Sequence, residues 1–193
     1  PCDDQTCYPL RVRCPQLAES LQGTLKVGEP TNGTFLGTIL FASGWTGTAF
    51  WETWSPNALY VIHDLRAAGF RTVQLQWSDN WFAGAEGQME GLGCLSCRTA
   101  SLVHWVYNHI QQQGTEAGFC AYGHSNGASS IAYALTQYGL ASLCDAVVFD
   151  GGPNWARLDI ACLHNNPDQS ALYFSTNERQ IADWTFGFPQ GGS

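Results

Sequence analysis

Five consecutive residues, Gly123-His-Ser-Asn-Gly127, carry the pattern G-x-S-x-G, with an apolar stretch before them and an amphipathic one after. In that setting the pattern describes a serine on a tight turn from strand to helix. Its backbone is strained, and glycines two before and two after it leave room where a side chain would collide with neighbouring backbone. The turn lifts the Ser125 hydroxyl above a sheet edge and places it at a helix N-terminus, whose partial positive charge favours a developing oxyanion. The N–H of Asn126 points at the same place. This is the chemistry of acyl transfer with Ser125 as nucleophile. A serine hydroxyl at its free pKa is weak, so the chemistry also requires a base, usually histidine, oriented by a carboxylate.

Elements able to position that turn are legible from periodicity and breakers. A cysteine-rich arm covers about 1–20. A hairpin is expected over about 22–40, turning at 30–33, its second strand running through 37–43 into the loop Gly44-Trp-Thr-Gly-Thr48. Helix follows over about 55–68, with Leu59, Ile62 and Leu65 on one face and Gly69 as its stop. A strand at 70–77 leads into a glycine-rich loop over about 78–96, and helix 97–112 sets Leu102, Val103, Val106 and Ile110 on one face. A short strand at 118–122, a helix over about 126–138 closed by Gly139, and a strand at 145–150 complete the alternation. Strands separated by helices of a dozen residues predict right-handed crossovers and a mostly parallel sheet covered on both faces, an α/β architecture in a single domain over 1–193.

Composition removes several function classes. Of 193 residues, 45% are hydrophobic and 12% charged, which describes a packed globular chain and not a disordered one. Asp and Glu number 16 against 8 Lys and Arg, a net charge of −8 with Lys26 the one lysine. Such a chain has no basic surface to neutralise a phosphate backbone, so nucleic acid is not an expected partner. No apolar run approaches the ~18 residues of a membrane-spanning helix. Cysteines at 2, 7, 14, 94, 97, 120, 144 and 162 suggest a disulfide framework, an oxidising compartment and stapling of the N-terminal arm. A start at Pro1 without an initiator Met reads as a processed, secreted protein, and Asn32-Gly-Thr34 is a formal glycosylation sequon. Cys94-Leu-Ser-Cys97 has no second ligand pair for zinc and no strand before it for thiol redox chemistry. It reads as structural disulfide material, and no metal or cofactor is implied.

On the elbow pattern and its strand and helix, residues 22–175 resemble the α/β-hydrolase superfamily, closest to secreted serine esterases of the cutinase and lipase kind. The resemblance implies a three-layer sandwich around the parallel sheet and a second oxyanion N–H from the loop after the strand ending near Ser43, so Trp45 or Thr46 joins Asn126 as donor. It also implies the chain order serine, acid, histidine. After Ser125 the one histidine is His164, and the acids between them are Asp145, Asp150 and Asp159. Asp150 ends a predicted parallel strand, where the active-site groups of open α/β sheets gather, which makes Asp150 and His164 the candidate acid and base. His63, His104 and His109 precede the serine and read as packing or surface residues. His124 should point away from the hydroxyl and support the elbow.

In the family the acid more often follows one strand later, here after 171–175, where Glu178 and Asp183 lie with no histidine beyond them. Only 43 residues follow Asp150. Two readings stay open: a triad compressed into Asp150 and His164, or an incomplete hydrolase whose base and final strands are absent. The length favours the second. Trp45, Trp51, Trp54, Trp77 and Trp81 fall after strands that should end beside Ser125, and suit a hydrophobic or aromatic ester substrate. The expected activity is carboxylic-ester hydrolysis. The alternatives are a serine peptidase on the same fold and a noncatalytic secreted binding protein that has lost its base.

Overall fold

The computed structural model describes residues 2–85, 90–111, 116–152, 158–164 and 167–187. Its strands are Thr6–Val12 (β1), Leu21–Gly28 (β2), Gly37–Ala42 (β3), Phe70–Trp77 (β4), Gly118–His124 (β5) and Ala146–Asp150 (β6), joined in one sheet in the order β1-β2-β4-β3-β5-β6. Helices Pro56–Ala68 (α1), Gly91–Leu95 (α2), Cys97–His109 (α3), Asn126–Gln137 (α4), Leu158–Leu163 (α5) and Thr176–Phe186 (α6) complete it, with single turns of tighter helix at Trp51–Thr53 and Ala141–Leu143 and a kinked pair of such turns at Pro167–Leu172. The pairs β3/β4, β3/β5 and β5/β6 are parallel; β1/β2 and β2/β4 are antiparallel. This is the mostly parallel sheet flanked by helices that the periodicity predicts. No helix among the described residues is long and apolar enough to cross a membrane.

The strand order corrects one expectation. β2 and β3 do not form a hairpin, because β4 lies between them. Residues 71 to 75 of β4 are all buried, so this strand needs a partner on each edge, and it takes β2 on one and β3 on the other. The Leu36 N–H donates to Gly69 O (2.8 Å) and the Gly118 N–H to Leu36 O (3.2 Å), seating the start of β3 between β4 and β5. The antiparallel partner of β2 in sequence is β1, a strand where only an arm is expected. The segment 171–175, the place of a further strand in the family, instead ends a turn of tighter helix and caps α6: the Ser175 side chain accepts from the Glu178 N–H while the Glu178 carboxylate accepts from the Ser175 N–H.

Alternation along β2 and β4 divides two interiors. Leu25, Val27, Val73, Leu75 and Trp77 join Leu102, Val103 and Val106 of α3 in the main apolar core. Lys26 and Gln74, register partners on the opposite face, meet Glu52 from the Trp51–Thr53 turn. Lys26 Nζ donates to Glu52 Oε1 at 2.6 Å, Gln74 Nε2 donates to Oε2 at 2.7 Å, and the Glu52 N–H donates back to Gln74 Oε1 at 2.9 Å. The single lysine of the chain is thus enclosed in a polar cluster. On α1 the buried face is Ala58, Ile62 and Arg66, four apart, with Leu59 exposed in place of the expected packing. Arg66 is drawn inward because its guanidinium donates to Glu29 O and to Asp4 Oδ2, each at 2.9 Å. α1 stops at Gly69, as expected, and starts on a Ser55 cap whose side chain accepts from the Ala58 N–H.

Cys2 is bonded to Cys7 and Cys14 to Cys97, the second bridge tying the N-terminal arm to α3 across 83 residues of sequence. Cys94 of the C-x-x-C pair, with Cys120, Cys144 and Cys162, carries a free thiol. Cys14→Ser is expected to cost about 2–4 kcal/mol of stability, since it releases a long loop in the unfolded chain. Urea denaturation of variant and parent measures it, and an unchanged midpoint would refute the stapling role.

Candidate active site

The site is built where β5 stops. Ser125 sits at φ 51°, ψ −123°, between the last residue of β5 and the first of α4. A non-glycine residue in this region is strained by roughly 1–3 kcal/mol and persists only where its surroundings hold it. They do so through the main chain: the Ser125 N–H donates to Asp150 O (2.8 Å), and Ser125 O accepts from the N–H groups of Ala128 (2.9 Å) and Ser129 (3.3 Å). The flanking glycines act by clearance. A Cβ at Gly123 would stand 2.5 Å from Ala128 Cα, and one at Gly127 would stand 2.3 Å from Ala42 O. The first turn of α4 therefore rests directly on the end of β3. Gly127→Ala is expected to cost about 1–3 kcal/mol through forced backbone displacement; a denaturation midpoint equal to the parent's would contradict this packing.

The loop after β3 comes to the serine. A Cβ on Gly44 would stand 3.0 Å from Ser125 Cβ and 3.1 Å from His124 Cδ2. The loop is fixed by the Trp77 N–H on Gly47 O (2.8 Å), the Trp81 N–H on Thr46 O (3.1 Å) and the Gly47 N–H on Gly44 O (3.0 Å). None of these bonds uses the N–H of Trp45 or Thr46. Trp45 holds φ 53° and is 73% exposed, and Thr46 Oγ1 shares a 2.8 Å hydrogen bond with Thr48 Oγ1. Asn126 is the first residue of α4, so its N–H belongs to the helix's unpaired N-terminal set.

Asp150, at the end of β6, is the register partner of His124. Its Oδ2 accepts from Tyr122 OH at 2.6 Å and pairs with His124 Nδ1 at 3.0 Å. These bonds, Tyr122 first and His124 second, hold the Asp150 carboxyl below its ordinary range. Burial, and then the adjacent carboxylate, push Tyr122 up to about 12, so its hydroxyl stays protonated and donates. An ionised carboxylate can only accept, which places the hydrogen of the pair on His124 Nδ1. The Asp150–His164 pairing expected from chain order is not formed. The His164 ring stacks on Tyr173 with centroids 4.3 Å apart, and its Nε2 lies 3.1 Å from Phe174 O. Tyr122 is the residue of this cluster that sequence reasoning passed over; the signal for it was its place two residues before His124 on the same face of β5.

Of the five tryptophans expected near the site, Trp77 and Trp81 are core residues, 2% and 1% exposed. Trp51 packs against Tyr122 (5.1 Å between centroids) and Trp54 against His124 (5.7 Å), and Trp45 and Trp54 expose large ring surface. Among the described residues no group of three or more His, Cys, Asp or Glu is gathered to hold a metal ion. A cavity of about 460 Å³ between β1 and α3, lined by Tyr8, Val12, Leu102 and Trp105 among others, lies at the far edge of the sheet from β5.

No family model matches the chain, and no curated protein sequence matches it. Solved structures do. A putative hydrolase from Agrobacterium vitis aligns over 93% of this chain and 60% of its own at a TM-score of 0.53 and 11% identity. A soluble variant of monoglyceride lipase from Saccharomyces cerevisiae aligns over 87% of this chain and 52% of its own at 0.52 and 12%. The chain has the α/β-hydrolase fold. A dienelactone hydrolase from Anabaena variabilis is also similar, at 21% identity and a TM-score of 0.48 over 77% of this chain and 64% of its own. The chain thus spans less than two thirds of the length of each of these three structures. In the α/β-hydrolase sheet found here, β5 carries Ser125, β3 delivers the Gly44 loop and β6 delivers Asp150, all at their carboxyl ends.

Proposed function

We propose that this protein is a secreted serine hydrolase that cleaves carboxylic esters through an acyl-enzyme on Ser125. The observation that carries the reading is the conformation of Ser125, held at φ 51° on the N-terminus of α4 with the Gly44 loop against its Cβ. Ser125 Oγ attacks the ester carbonyl as a histidine base takes its proton. The oxyanion forms against the N–H of Asn126 and that of Trp45 or Thr46, and collapse expels the alcohol, protonated by the base. Water repeats the sequence on the acyl-enzyme and frees the acid. A monoglyceride lipase shares the fold, and the exposed rings of Trp45 and Trp54 favour a hydrophobic or aromatic acyl group. The two disulfides support an oxidising compartment. Chain order puts His164 forward as base; in that role its ring leaves the Phe174 carbonyl.

The test is labelling with a fluorophosphonate probe, with the modified residue located by mass spectrometry. Folded protein that takes no label at Ser125 would overturn the reading. Matched p-nitrophenyl esters and amides then separate esterase from peptidase, and amide turnover without ester turnover would reverse the assignment. His164→Ala is expected to abolish turnover if His164 is the base, and retained turnover would remove it from that role.

A further inference from the structure

We propose that Asp150 is a positioning residue of the nucleophile turn, clasped by Tyr122 and His124, and not the carboxylate that orients the base. The inference rests on the reading of Ser125 as nucleophile. Asp150 holds the turn twice. Its carbonyl accepts the Ser125 N–H at 2.8 Å, and its carboxylate oxygen Oδ2 accepts from Tyr122 OH at 2.6 Å and His124 Nδ1 at 3.0 Å. Each clasp is itself packed: Trp51 lies edge-on to Tyr122, and Trp54 lies edge-on to His124. The residue before the nucleophile is therefore fixed by a bond to the neighbouring strand and by a ring contact, while the nucleophile's own N–H is fixed by that same strand. A residue at φ 51° needs this much constraint, since its relaxed conformations lie elsewhere.

The competing role would place the Asp150 carboxylate on a histidine able to take the serine proton, which chain order makes His164. That histidine is stacked on Tyr173 and bonded to Phe174 O, and the one histidine ion-paired to a carboxylate among the described residues is His124.

Asp150→Asn and Asp150→Ala separate the two roles. The asparagine Oδ1 still accepts from Tyr122 and His124 but carries no charge, and alanine accepts nothing. Two readouts are taken: hydrogen exchange of the Ser125 amide, and fluorophosphonate labelling with ester turnover. Asp150→Ala is expected to speed exchange of that amide by at least about tenfold and to lower kcat by about 10²-fold with KM little changed, the cost of a misplaced nucleophile. Asp150→Asn should restore both to within about tenfold of the parent. A loss of about 10⁴-fold in Asp150→Asn, as when a triad carboxylate loses its charge, would overturn the proposal. So would exchange in Asp150→Ala equal to the parent's. If the parent takes no label but the exchange contrast between the variants persists, the hydrolase reading fails and the positioning role stands.

Discussion

Ser125→Ala is expected to lower kcat/KM for a p-nitrophenyl ester by about 10⁶-fold, some 8 kcal/mol of transition-state stabilisation. The Ser125 hydroxyl makes no capping hydrogen bond to α4. Its backbone neighbours, Asp150 O, Ala128 N–H and Ser129 N–H, bond to the main chain of residue 125 and keep their partners in the variant. Stability should therefore stay within about 0.5 kcal/mol of the parent, as for a substitution that removes no buried contact. What activity remains would come from the oxyanion donors and substrate binding, which the variant leaves in place. Initial rates over a range of ester concentrations, with a denaturation curve on the same sample, decide the matter. A loss of less than about tenfold with the fold intact would mean that another group attacks the carbonyl.

The largest stability effect is expected at the enclosed Lys26–Glu52 pair. Lys26 is 2% exposed and Glu52 8%, and Gln74, fully buried, holds the second carboxylate oxygen. Lys26→Met leaves the Glu52 carboxylate buried without the lysine charge, at a cost of about 3–5 kcal/mol; Glu52→Ala costs less, because Lys26 Nζ keeps Asp3 Oδ2 at 3.5 Å. In a chain of this size the first lowers Tm by about 10 °C. The double variant Lys26→Met/Glu52→Leu should recover most of the loss, because desolvation of the pair opposes its attraction. The pH dependence has a definite sign. Burial pushes the Glu52 carboxyl up, but hydrogen bonds from Lys26 and Gln74 together with the lysine charge outweigh it, and the net shift is below the usual value of 4.5. A group lowered in the folded state stabilises fully above its unfolded pKa and loses that contribution as pH falls through the folded value. The stability gap between the parent and Glu52→Gln should thus be full at neutral pH and shrink below pH 4.5. A gap that stays constant from pH 7 to pH 3 would show that the ionised pair is not what the substitution removes.

Local requirements account for what could be read in advance. The elbow pattern is five adjacent residues, and its glycines answer to clearances within a few residues of themselves or against the one strand end beneath them. The helix stop at Gly69 is equally local, and so is the strand and helix alternation that implies a mostly parallel sheet. The apolar faces were less secure. Leu59 fits the period of α1 but is left exposed, because Arg66 finds two acceptors inward and turns the buried face by part of a turn.

By itself, then, the sequence determined the α/β class, the turn at residues 123–127 and the candidate nucleophile, since each follows from backbone sterics and periodicity over a few residues. Only the tertiary structure decided the strand order that sets β4 between β2 and β3, the bridge from Cys14 to Cys97, the enclosure of Lys26 by Glu52, the burial of Trp77 and Trp81, and the pairing of Asp150 with His124 in place of His164. These are contests among partners that meet through space, and their outcome depends on which strand edge, acceptor or apolar surface arrives beside each group. His124 wins Asp150 because parallel register sets the two opposite each other at the ends of β5 and β6, a neighbourhood that no spacing along the chain encodes.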